Sequence, residues 1–110
     1  MDPIFVKTVT LPVSVSQLNI NRGEALSFSH CAVALALWDA LQKRKHPYWR
    51  IQKVRVVQEE IALSGEGFEI VMSEVPSEVF RFISRFDDPS TREECEPFSF
   101  TFQGDFYKTA

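Results

Sequence analysis

The chain has 110 residues, 45% of them hydrophobic and 25% charged, and a net charge of −3. That length suits one domain, and no apolar run approaches the roughly 20 residues that span a bilayer, so no membrane association is expected. Two cysteines are too few for a disulfide framework and MDPIFVKTV lacks the features of a secretory signal, so the expected location is a reducing cytoplasm.

In VKTVTLPVSV, residues 6–15, Val9, Leu11, Val13 and Val15 fall on one side and Thr8, Thr10, Pro12 and Ser14 on the other. A period of two marks a half-buried strand. Pro12 has no amide hydrogen to donate, which places the strand at a sheet edge or turns that position outward. SQLNINRGE then reads as a short helical turn ending at Gly23, a residue able to take a positive φ.

SFSHCAVALALWDALQKRK, residues 27–45, carries the strongest helical pattern. Ser27 or Ser29 is the expected cap, and Cys31, Ala34, Leu35, Trp38 and Leu41 repeat at i, i+3, i+4, i+7. Ala32, Val33, Ala36 and Leu37 make the first half apolar almost all round, so this helix should be buried on more than one side. Lys43, Arg44 and Lys45 suit the negative end of the helix dipole, and Pro47 stops the helix.

WRIQKVRVVQ predicts a strand with Val54 and Val56 inward and Lys53 and Arg55 outward. EIALSGEGFEIVMSE predicts a hairpin turning at SGEG. VPSEVFRFISRFDDP opens with Pro76 at a first helical position, and Val79, Phe82, Ile83 and Phe86 form a stripe that ends at Asp87-Asp88-Pro89. EPFSFTFQGDFY sets Phe98, Phe100 and Phe102 on one side of a last strand. The sum is an α+β fold: a single two-layer domain over residues 1–110. Its sheet of about five strands is antiparallel or mixed, and two main helices lie on the face that bears Val54, Val56, Phe98 and Phe100.

Charge is uneven along the chain: +5 over residues 1–55 and −8 over 56–110. The densest cationic stretch is KRKHPYWRIQKVR, residues 43–55. Arg44, Lys45, Arg50, Lys53 and Arg55 could pair with phosphates while Tyr48 and Trp49 offer surfaces on which a base stacks. The same residues also fit a solvated helix end that runs into the outer face of a strand. Phe106 and Tyr107, after Gly104, would form an apolar patch if left uncovered.

Catalytic patterns are sparse. GxSxG, P-loop, GxGxxG and HExxH motifs do not occur. His30 and Cys31 are adjacent, so on a helix they point about 100° apart and do not meet. Cys31 on an apolar face reads as a small core residue, although a thiolate near a helix N-terminus would gain from the dipole. His30, His46, Cys31 and Cys95 show no zinc-ligand spacing, and no cofactor is expected.

HCAVALALWDAL and RFISRFDD…EPFSFTF resemble two segments of a set of short uncharacterised proteins of phages and actinobacterial genomes, whose first helix opens C-P-V-A-L-A-L and whose last helix ends in FD before a PFxFxF-like strand. The resemblance covers roughly residues 29–42 and 79–102, with Ala32 where that pattern favours proline. It implies phage-type provenance, hence a host cytoplasm, and brings no activity with it. The expected function is therefore a small non-enzymatic interaction protein that binds and blocks a host factor. Its expected contacts are Arg44, Lys45, Tyr48, Trp49, Arg50, Lys53, Arg55, Phe106 and Tyr107. The alternatives are a module that sequesters an anionic nucleotide or nucleic acid on the basic stretch, and a small thiol enzyme using Cys31. A homo-oligomer is compatible with either binding reading.

Overall fold

Alternation along the chain is realised as a curved antiparallel sheet carrying its apolar residues on one side. The computed structural model describes residues 2–43 and 50–109. In chain order the elements are β1 (Ile4–Val15), α1 (Gln17–Arg22), α2 (Ala32–Gln42), β2 (Lys53–Val56), β3 (Ile61–Gly65), β4 (Phe68–Met72), α3 (Ser77–Asp87) and β5 (Phe98–Lys108), with a 3-10 turn at Arg92–Glu94 before β5. The five strands lie in the order β1-β5-β4-β3-β2, every pair antiparallel. This is the expected two-layer α+β fold.

Register explains the single apolar face. Leu11 lies opposite Phe102 and Val13 opposite Phe100; Ile61 pairs with Met72 and Leu63 with Ile70; Val54 pairs with Leu63 and Val56 with Ile61. Cross-strand partners point the same way, so the period-two pattern of each strand adds to one continuous buried surface. The other face bears Thr8, Thr10, Pro12 and Ser14 of β1 and Ser99, Thr101 and Gln103 of β5, all exposed. Pro12 sits on an edge strand, as a residue without a donor requires.

The helices cover the apolar face. Buried Ala32, Val33, Ala34, Ala36, Leu37 and Leu41 put most of the circumference of α2 inside. This helix touches both β1 and β2, the two edges of the sheet, so the sheet curls around it. On α3 the stripe is Val79, Phe82, Ile83 and Phe86, with the Phe82 ring 4.7 Å from that of Phe98. β5 pairs with β1 along its length but with β4 only through residues 105–108. The first half of β5 therefore pairs with β1 and not with β4.

Two local expectations are corrected. Gly23 has φ −66°, so it is not a left-handed cap. It is instead a point of close approach, because a Cβ there would lie 2.6 Å from the Ala32 amide nitrogen and 2.8 Å from Phe86 Cζ. α1 is capped at its start by Ser16, whose hydroxyl accepts from the Asn19 amide while the Asn19 side chain accepts from the Ser16 amide. α2 begins at Ala32 with Cys31 as its N-cap, later than a Ser27 or Ser29 cap would place it. Ser27 does accept a backbone hydrogen bond, from the His30 amide at 3.0 Å, but it closes a turn within a loop.

Candidate functional site

That loop, residues 24–30, is the most unusual surface among the described residues. Leu26 has φ +58°, the one positive value outside glycine among them. A left-handed leucine crowds its Cβ against the following carbonyl, at a cost of about 1–2 kcal/mol. The conformation is held from several sides. The Leu26 amide donates to Asp87 Oδ1 at 2.9 Å, the Glu24 amide to the His30 carbonyl at 2.8 Å, and the Val56 amide to the Phe28 carbonyl at 2.7 Å. The last bond fastens the loop to the outer edge of β2.

The loop holds large apolar side chains out in water. Leu26 is 79% exposed and Phe28 59% exposed. Both line a cavity of about 550 Å³ whose other walls come from Cys31 at the head of α2, from Val56 at the end of β2 and Val57, Gln58 and Glu59 after it, and from Ile83, Ser84 and Asp87 of α3. Its floor is apolar; Glu59 and Asp87 supply carboxylates, and Gln58 Nε2 donates to Ser84 Oγ at 3.0 Å on one wall. The Arg55 guanidinium stands 5.5 Å from the Phe28 ring centroid, within the range of a cation–π contact. Phe28 thus both meets a cation and lines a cavity whose walls include two acidic residues.

Cys31 lines this cavity but is only 5% exposed. Burial raises its thiol pKa above the ordinary value; the Ala34 and Val33 amides oppose that shift, and the Asp87 charge adds to it. The adjacent imidazole goes elsewhere: His30 Nδ1 is hydrogen-bonded to Ser29 Oγ at 2.8 Å and lies 4.0 Å from Glu24 Oε2. Cys31 and His30 are not brought together as a nucleophile and base. Cys95 is also buried, and burial raises its pKa against the nearby Arg85 and Arg92 charges.

The residues singled out in the sequence scatter. Arg44, Lys45, Tyr48 and Trp49 lie outside the described residues. Arg50 is exposed before β2, and Lys53 and Arg55 stand two apart on the outer face of that strand. No described carboxylate lies within ion-pair distance of these three, and none of them lines the 550 Å³ cavity. Phe106 and Tyr107 belong to β5 and point to opposite faces. Phe106 stacks on Phe68 with centroids 5.2 Å apart, and Tyr107 meets Phe5 edge-on at 5.9 Å. They do not form one patch. Leu26 and Phe28 carried no periodic signal and went unmarked, and Asp87 read only as part of a helix end.

Arg92 organises the ground behind the loop. Its Nη2 donates to the Gly23 carbonyl at 2.6 Å, and its guanidinium lies 4.1 Å from the centroid of the Phe86 ring. Since Gly23 leads into the loop and Asp87 follows Phe86, one side chain ties together the two segments that set the position of Leu26. No helix among the described residues is long and apolar enough to cross a membrane. No protein-family model, curated protein or solved structure matches the chain.

Proposed function

We propose that this chain is a non-enzymatic interaction protein that works by occupying another protein's surface, as a phage-type blocker of a host factor would. Its contact surface is the 24–30 loop together with Arg55 and the adjoining cavity. The observation that carries this reading is Leu26. A leucine held in a left-handed conformation and left 79% exposed is a local cost that burial of its side chain does not offset in the isolated chain. Strain of this kind persists where the surroundings over-determine it, and it clusters at binding and switch positions. Phe28 is of a type enriched at interfaces, and Arg55 over its ring is of a type found at their energetic centres.

The test is capture from an extract of the source cells by the tagged chain, followed by identification of the bound protein and a binding assay with it purified. Phe28→Ser should weaken that complex at least about thirtyfold, the scale of losing an interface anchor, while Arg50→Ala with Lys53→Ala leaves it nearly intact. Binding indifferent to Phe28→Ser would overturn the reading.

Arg50, Lys53 and Arg55, exposed and without a carboxylate partner among the described residues, favour the second reading, a module for phosphate-bearing ligands. That mode predicts affinity for an oligonucleotide that falls steeply with salt as counterions are released, and a loss on Arg50→Ala with Lys53→Ala.

A further inference from the structure

The cavity beside the loop is apolar at its floor and rich in acceptors on its walls. Glu59 and Asp87 line it, and among the described residues no lysine, arginine or histidine does. Arg55 stands over the Phe28 ring and is not part of the lining. Asp87 accepts the Leu26 amide on Oδ1, which leaves Oδ2. Gln58 donates through Nε2 to Ser84, which leaves its carbonyl oxygen. Lysine and arginine match such walls, because their heads carry only donors and their stems lie along apolar surface. The volume, about 550 Å³, falls in the roughly 300–1,000 Å³ range of pockets that enclose whole ligands, so an apolar neighbour enters beside the cation. Leu26 and Phe28 line the cavity yet stay 79% and 59% exposed. A small amine on the floor would leave most of that surface in water; a polypeptide covers it.

We infer that the partner segment seated here presents a lysine or arginine beside a large apolar side chain, the cation on Glu59 and Asp87 and the apolar group on the cavity floor. The inference rests on reading the loop as a protein contact and names the chemistry of what it contacts. Glu59 is exposed and Asp87 half-buried, so these ion pairs select the partner more than they tighten the complex.

A display library of random short peptides, selected on the immobilised chain at low ionic strength, tests this. Enriched peptides should carry lysine or arginine next to a leucine, isoleucine, methionine or aromatic residue. A synthetic copy of one should bind Phe28→Ser at least about tenfold more weakly, with melting temperatures checked to exclude unfolding. Glu59→Gln with Asp87→Asn, the second of which keeps an oxygen for the Leu26 amide, should weaken it about tenfold. Exchanging the peptide's cation for glutamine should weaken binding by a similar factor, and the binding that remains should ignore the two substitutions.

No enrichment, enriched peptides without a basic residue, or a basic peptide indifferent to Glu59→Gln with Asp87→Asn overturns the inference. If peptides of the wrong charge are still lost on Phe28→Ser, the partner chemistry falls and the contact surface stands. Peptides that bind Phe28→Ser as tightly as the unaltered chain count against both. A doubling of the 12.6 kDa mass in sedimentation equilibrium, abolished by Phe28→Ser, would make a second copy the occupant and overturn the inference as well.

Discussion

Replacing Leu26 with asparagine should make the protein more stable. Asparagine tolerates the left-handed region because its short amide can bond to nearby backbone, so most of the strain, about 1–2 kcal/mol for leucine, is relieved. The loss is small. Full burial of a leucine is worth about 1.5–3 kcal/mol, and with 79% of Leu26 in water about a fifth of that is at stake. The amide that donates to Asp87 is kept in the variant. The balance is a gain of about 0.5–1.5 kcal/mol, or about 2–6 °C in melting temperature for a chain of this size. Urea unfolding with circular dichroism measures it directly. Partner binding should fall in the same variant. Gain of stability with loss of binding marks a residue kept for contact. A loss of 1 kcal/mol or more would refute the reasoning, because it would mean that Leu26 serves the fold.

Arg92→Ala should cost about 2–3 kcal/mol in urea unfolding, since it removes a charge-assisted bond to the Gly23 carbonyl and the contact with Phe86; Arg92→Lys should recover little of it, lacking the planar guanidinium. The buried, raised-pKa thiol of Cys31 should react with a disulfide reagent at pH 8 at least about a hundredfold more slowly than in the urea-unfolded chain. Because that pKa is raised in the folded state, the unfolded chain releases the proton first as pH rises. Stability should hold below the ordinary thiol pKa and decline above it, and Cys31→Ala should reduce the decline. Gly104→Ala should destabilise by about 1–3 kcal/mol in thermal unfolding, because a Cβ there would lie 2.7 Å from Phe102 Cζ and 2.9 Å from Ile70 Cγ2 in the packed core.

The fold was legible wherever one periodicity ruled a whole segment. Val9 to Val15 alternate over seven residues and form the buried side of β1; Val54 and Val56 point inward, with Lys53 and Arg55 out. Val79, Phe82, Ile83 and Phe86 give the α3 stripe, and the apolar run from Ala32 gives a helix swallowed by the sheet. Elements went astray where side chains compete with the backbone. Ser27 has the right chemistry for a helix cap, yet its hydroxyl closes a turn one segment early, and the helix starts at Ala32 with Cys31 as its cap. Gly23 suggested a positive φ, whereas it is small because Ala32 and Phe86 press against it.

The candidate site was hardly legible at all. Its walls come from residues 26–31, 56–59 and 83–87, which share no motif and meet only through the tertiary fold. Leucine is among the last residues expected at a positive φ, so Leu26 gave no local cue. The basic stretch drew attention because its charges are contiguous in sequence, but Lys53 and Arg55 reflect the outward half of a strand pattern. Arg55 alone connects the two views, since its guanidinium stands over the Phe28 ring.

The most direct measurement places a photoreactive benzoylphenylalanine at position 28 in one variant and at position 101, on the exposed outer face of β5, in another. After irradiation in an extract of the source cells or at high protein concentration, position 28 should join covalently to another polypeptide and position 101 should not. Adducts from position 101 with none from position 28 would contradict the claim that this protein works through its strained loop.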